Sequence, residues 1–148
     1  MTITHRRRLS RLTDLPACLL ELAALERDAA AALLALERRG EPEWATLIET
    51  LRLDQALART DIDRAVAACG RSPKRDLRTL YSVDELASEP TPVALARVTI
   101  ARLEAYDDVV EGLNLPPDAL REQLQGARAA AEHQVLQLEH RIGASPGT

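Results

Sequence analysis

Apolar positions recur at every third or fourth residue over four long stretches of the chain, the spacing of amphipathic helices. The first predicted helix covers about 16–39, with a stripe of Leu19, Leu22, Glu26, Ala29, Leu33 and Leu36. Pro16 suits its first turn, Thr13 or Asp14 can cap it, and Gly40 stops it. The second covers about 43–69, opened by Pro42 and closed by Gly70. Its stripe is Trp44, Leu47, Ile48, Leu51, Gln55, Ala58, Ile62, Ala65, Val66 and Cys69. The third covers about 91–111 and ends at Gly112. Its apolar face carries Leu95, Val98, Thr99, Arg102, Tyr106, Val109 and Leu113; its polar face carries Arg97, Glu104, Asp107, Asp108 and Glu111. The fourth covers about 118–142 before Gly143, with Leu120, Leu124, Ala127, Ala131, Val135, Leu138 and Ile142 on one arc. A charge or an amide interrupts three of these stripes near mid-helix: Glu26, Gln55 and Arg102.

The connections set the topology. Short links join helices one and two, and three and four, and short links make antiparallel neighbours. A proline-bearing crossover of about twenty residues, 71–90, joins the two hairpins, long for a compact domain. Ser82 followed by Glu85 is a capping-box pattern, so a short helix near Val83 to Ala87 is expected there. The expected fold is all-α: two antiparallel hairpins joined by a long crossover, the connectivity of a ferritin-like four-helix bundle. An ordinary four-helix bundle with a long second loop fits the same pattern. Residues 1–14 read as a flexible basic arm, 15–143 as the bundle and 144–148 as a loose tail.

Composition narrows the classes. The 148 residues suffice for one domain with a real core. Alanine, leucine, arginine and glutamate dominate and phenylalanine is absent, which argues against a β-sandwich or barrel. A net charge of −4 argues against nucleic-acid binding by the chain as a whole. Only the arm, with Arg6, Arg7, Arg8 and Arg11, offers an electrostatic tether; the bland reading is a solvated terminus. No apolar run approaches the ~18 residues of a membrane span, and the basic N-terminus lacks the apolar core of a secretory signal. The expected compartment is the cytoplasm, with Cys18 and Cys69 as reduced, buried thiols; a redox pair at one end of the first hairpin is the alternative.

Candidate chemistry is sparse. His133 and His140 point away from the buried arc of the last helix and sit seven residues apart. That separation is about 10 Å along the axis, too far for one ion whose ligands lie about 2 Å away. There is no nucleophile triad, phosphate loop or zinc spacing. Leu53 and Leu57 fall on the back of helix two, and Leu136 on the back of helix four, which makes the first two a candidate homodimer seam.

The stretch from Leu15 to Ile142 resembles bacterial ferritin-like proteins of unknown function, distantly related to bacterioferritin. The resemblance is carried by AYDDVVEGLNLPPDALREQLQ, where one helix ends and the last begins, and by ALARTDIDRAVAACGRSP at the end of helix two. Ferritin-like enzymes hold two metals at mid-bundle with one Glu from each of two helices and a Glu-x-x-His from each of the others. Carried over, the resemblance finds Glu26 in place. Asp54 stands for a glutamate on helix two, but Leu57 stands where a histidine is needed. Thr99 and Arg102 occupy the inward positions of helix three; Ala130 and Gln137 precede His133 and His140. The resemblance therefore implies a degenerate metal site and no cofactor. Glu26, Gln55 and Arg102 are expected to form a polar layer in its stead, with a buried Glu–Arg pair fixing register. The bland alternative has Arg102 snorkelling to the rim. The leading expectation is a non-enzymatic structural or interaction module. The alternative is an iron or manganese protein with an altered ligand set drawn from Glu26, Asp54, Asp61, Glu104, Glu132 and His133.

Overall fold

Strong helix formers fill each periodic stretch, and each becomes one helix. The computed structural model describes residues 15–69, 88–112 and 118–144. Four helices lie within them: α1 (Leu15–Glu37), α2 (Pro42–Ala68), α3 (Thr91–Gly112) and α4 (Ala119–Ala144), with no strand among the described residues. The protein is an all-α four-helix bundle. The expected arm, the short helix near Val83–Ala87, most of the crossover, Gly70, Leu113 and the tail after residue 144 lie outside the described residues.

Local chemistry accounts for the ends. Gly40 sits at φ 68 between α1 and α2, a left-handed position that side chains with a Cβ resist. Pro42 opens α2, where its missing N–H is no loss. Asp118 is the cap of α4 rather than its first residue: its Oδ1 accepts the Arg121 N–H at 3.2 Å. Gly143 was expected to stop α4 but lies inside it, since Gly40 alone of the described glycines has positive φ.

Side-chain pairings give the directions. Between α1 and α2, Arg52 bonds Glu37 at 2.5 Å and Gln55 bonds the Glu26 carbonyl at 2.7 Å. Between α3 and α4, Arg128 bridges Asp107 at 2.9 Å and Glu111 at 2.6 Å. Those two carboxylates, the Glu111 hydrogen bond foremost, raise the Arg128 pKa above its ordinary value. Between α1 and α3, Arg39 donates to the Glu89 carbonyl at 2.8 Å and to Thr91 Oγ1 at 3.1 Å. Between α2 and α4, the Arg141 guanidinium lies 4.5 Å from the centre of the Trp44 ring, a cation–π contact. With the core contacts Glu26–Arg102, Arg102–Gln134 and Asp54–Gln134 added, one residue number rises as the other falls in every pair, so all four neighbours are antiparallel. Cys69 and Ser88 consequently stand at opposite ends of a bundle about 40 Å long.

Packing corrects the expected faces in four places. α1 is buried well beyond its stripe, with Leu20, Ala23, Ala24 and Leu25 joining Leu19, Leu22 and Leu33 in the core. A helix that is apolar nearly all round has little to offer water. Asp108, assigned to the polar face of α3, is buried, because that helix packs through about half of its circumference. Ile142 was assigned to the buried arc of α4 but is exposed near the helix end, past the last layer of the core. Cys18 is buried as expected, but Cys69 is exposed, at the turn that follows α2.

Candidate functional site

Each helix sends a polar side chain into the middle of the bundle. Glu26 of α1 is 0% exposed and Arg102 of α3 is 3% exposed. Arg102 Nε donates to Glu26 Oε1 at 2.8 Å and Nη2 to Oε2 at 3.0 Å, a two-pronged pair. Tyr106, one turn beyond Arg102 on the same face of α3, donates its hydroxyl to Glu26 Oε2 at 2.5 Å. Gln55 of α2 donates to the Glu26 main-chain carbonyl. Arg102 Nη1 reaches Gln134 Oε1 of α4 at 3.4 Å, and Gln134 Nε2 donates to Asp54 Oδ2 on α2. The network runs from fully buried Tyr106 to half-buried Asp54 and touches all four helices.

The chemistry of this layer is that of a closed ion pair. A carboxylate has about four lone-pair sites, and three of those on Glu26 already accept N–H or O–H donors. The guanidinium balances its charge without a metal. The Tyr106 phenol pKa is raised well above its ordinary value of 10.0, first by burial and then by the nearby Glu26 charge, with Arg102 opposing. It is therefore a standing donor.

The six candidate metal ligands do not converge. Glu26 faces Arg102 and Asp54 holds Gln134. Asp61 stands seven residues further along α2, about 10 Å from Asp54 along the axis. Glu104 lies two positions from Arg102 and so turns away from it; Glu132 and His133 are exposed, as is His140. Among the described residues no three His, Cys, Asp or Glu side chains form a group that could hold a metal ion. The donor set does not fit a di-metal centre: the buried carboxylate of Glu26 faces a guanidinium, and no second carboxylate is hydrogen-bonded beside it among the described residues. Leu53 and Leu57 are exposed on the back of α2, level with this layer but outside it. Arg6, Arg7, Arg8 and Arg11 lie outside the described residues.

Two members of the network escape the pattern reading. Gln134 sits three residues after Ala131 and four before Leu138, on the edge of the buried arc, so the helical wheel could have found it. Tyr106 counts as an apolar filler in such a wheel, and its hydroxyl gives no periodic signal.

The fold and its centre define a four-helix bundle with a salt-bridged polar layer in the core. The same fold is found in the crystal structure of a conserved hypothetical protein from Mycobacterium tuberculosis: TM-score 0.68, 16% identity, with 89% of this chain and 92% of that chain covered. At that identity the likeness is one of fold alone. No family model and no curated protein matches the chain. Among the described residues no helix is long and apolar enough to cross a membrane.

Proposed function

We propose that this chain is a non-enzymatic structural or interaction module, a ferritin-like bundle whose mid-core ligand position is given over to an ion pair. The observation that carries this reading is the two-pronged Arg102–Glu26 contact, completed by Tyr106. A metal ion would compete for the lone pairs that these donors occupy, and would meet a cation at short range. Of the remaining network residues, Gln55 and Gln134 are amides that carry no charge to add to a metal site, and the one further carboxylate, Asp54, is half-buried and accepts from Gln134. The layer thus holds four helices in one register, leaving the outer faces of the bundle to meet other molecules.

The test is metal loading. Tag-free protein is incubated with ferrous iron or with manganese, desalted, and assayed for metal by mass spectrometry. The reading predicts far less than one ion per chain. One or two tightly retained ions per chain would overturn it in favour of the metal-binding alternative.

A further inference from the structure

Two of the helices have no open face. In α1 only Ala31 and Glu37 are exposed, and in α3 only Glu111 and Gly112. The other two each carry an exposed row: Thr50, Leu53, Leu57 and Thr60 on α2, and Gln125, Ala129, Glu132 and Leu136 on α4. A helix with two neighbours in a four-helix bundle keeps an outer face for water, and the near neighbours of α1 are α2 and α3. Ala17, Glu21, Ala24 and Asp28 follow along α1 at steps of four, three and four. They are turned away from its core stripe and from the groove that Arg27, Ala31 and Leu34 line against α2. Ala17 and Ala24 are nevertheless 7% and 5% exposed, and the two carboxylates are half-buried. Arg97, Ala101, Glu104 and Asp108 keep the same steps along α3. Counted from the Glu26–Arg102 contact, antiparallel register sets Glu21 near Asp108 and Asp28 near Glu104. The outer side of the α1–α3 pair is therefore a covered furrow that holds four carboxylates.

Carboxylates under cover need cations. Side-chain oxygens of Glu21, Asp28 and Asp108 are shut off from water, and all four acids have an electrostatic or hydrogen-bonding partner. The arginines of α1 and α3 are placed elsewhere: Arg27 lines the groove against α2, Arg97 pairs with Glu89 at 2.8 Å and Arg102 pairs with Glu26. The chain between α2 and α3 carries the complementary charge. Residues 70–87 begin with Arg71, Lys74, Arg75 and Arg78, against the single acid Asp76 in that stretch. The α1–α2 pairings put Cys69 at the Leu15 end of α1, the end where Glu21 lies. Ser88 stands at the other end of a bundle about 40 Å long. Residues 70–87 reach at most about 60 Å, enough for one pass along one side of the bundle. The outer row of α4 is open, so that side is the one of α1 and α3. We infer that residues 70–87 pass over the α1–α3 furrow, with Arg71, Lys74, Arg75 and Arg78 set against Glu21, Asp28, Glu104 and Asp108. This electrostatic seam closes one side of the bundle and leaves the outer rows of α2 and α4 open.

Zero-length carbodiimide coupling of the full chain tests the inference, and its outcome does not depend on what the core binds. Lys74 is the only lysine, so peptide mass spectrometry reads its partner without ambiguity. The expected amide joins Lys74 to one of Glu21, Asp28, Glu104 and Asp108. An amide to Glu122, Glu132 or Glu139 of α4, coupling of the N-terminal amine to the furrow in place of Lys74, or no Lys74 amide overturns the proposal. Thiol labelling in a Cys69→Ser background reads the cover separately. Ala24→Cys is expected to react at least about tenfold more slowly than Ala129→Cys, since both are helical alanines that differ in access. Arg71→Gln, Lys74→Gln, Arg75→Gln and Arg78→Gln together are expected to bring the two rates within about threefold, with the helical circular dichroism spectrum retained. Equal rates before those changes, or a rate at Ala24→Cys that ignores them, also overturns it.

Discussion

Glu26 is the residue on which the centre of the molecule turns. Its carboxylate takes Arg102 on both oxygens and Tyr106 on one, and its main-chain carbonyl takes Gln55. Tyr106 makes this testable by pH. Its folded pKa lies well above 10.0, its ordinary and unfolded value. A raised pKa contributes stability that is complete below the unfolded value and is lost as pH climbs above it. Stability should therefore fall above about pH 10, by up to about 1.4 kcal/mol per pH unit from this group. Tyr106→Phe should remove that part of the slope, and at neutral pH should cost about 1.5–3 kcal/mol, the worth of a hydrogen bond to a charged group. Urea denaturation of both proteins across the alkaline range measures it; identical slopes would show that the phenol is not held as described. The burial of Glu26, Gln55 and Arg102 is legible in the sequence because each interrupts an apolar stripe near mid-helix. Tyr106 is not, because the same side chain serves equally as plain core filler. Asp108 and Cys69 are misread for a different reason: periodicity gives a helix's facing, but how much of its circumference its neighbours cover, and where packing stops, are tertiary facts.

At the scale of the element, the helices are the most legible part. Stretches expected at about 16–39, 43–69, 91–111 and 118–142 are observed as Leu15–Glu37, Pro42–Ala68, Thr91–Gly112 and Ala119–Ala144. Glycine punctuation was the weaker signal, since Gly112 and Gly143 end as members of their helices. Gly40 is different. A Cβ there would meet nothing within 4 Å, so the only cost of adding one is the left-handed backbone. Gly40→Ala should destabilise the bundle by about 1–2 kcal/mol, and Gly40→Asn by less, because asparagine tolerates this region. Gly143→Ala, with helical backbone and equally open space, should be neutral or stabilising. Thermal melts of the three variants read the contrast. Equal effects at both positions would place the α1–α2 turn in some other conformation.

At the scale of the whole molecule, the polar layer joins the two hairpins. Glu26 belongs to the first and Arg102 to the second; Arg39 with Thr91, Trp44 with Arg141 and Asp54 with Gln134 join the same two hairpins further out. Four antiparallel neighbours could slide by a turn with little change in apolar contact, because alanine and leucine recur throughout. A buried ion pair penalises each such shift by stranding two charges, which is how a costly pair earns its place in a core. The central claim is thus an energetic coupling between positions 26 and 102. Its most direct measurement is a double-mutant cycle by urea denaturation, run in the Tyr106→Phe background so that no phenol is left without an acceptor. Glu26→Ala and Arg102→Ala should each cost about 3–5 kcal/mol, since each strands the opposite charge. Glu26→Leu with Arg102→Leu should cost far less than the sum of the single leucine changes, for a coupling on the order of 3 kcal/mol. Additive effects, or single changes below about 0.5 kcal/mol of the kind seen at surface sites, would contradict the account and place both side chains in water.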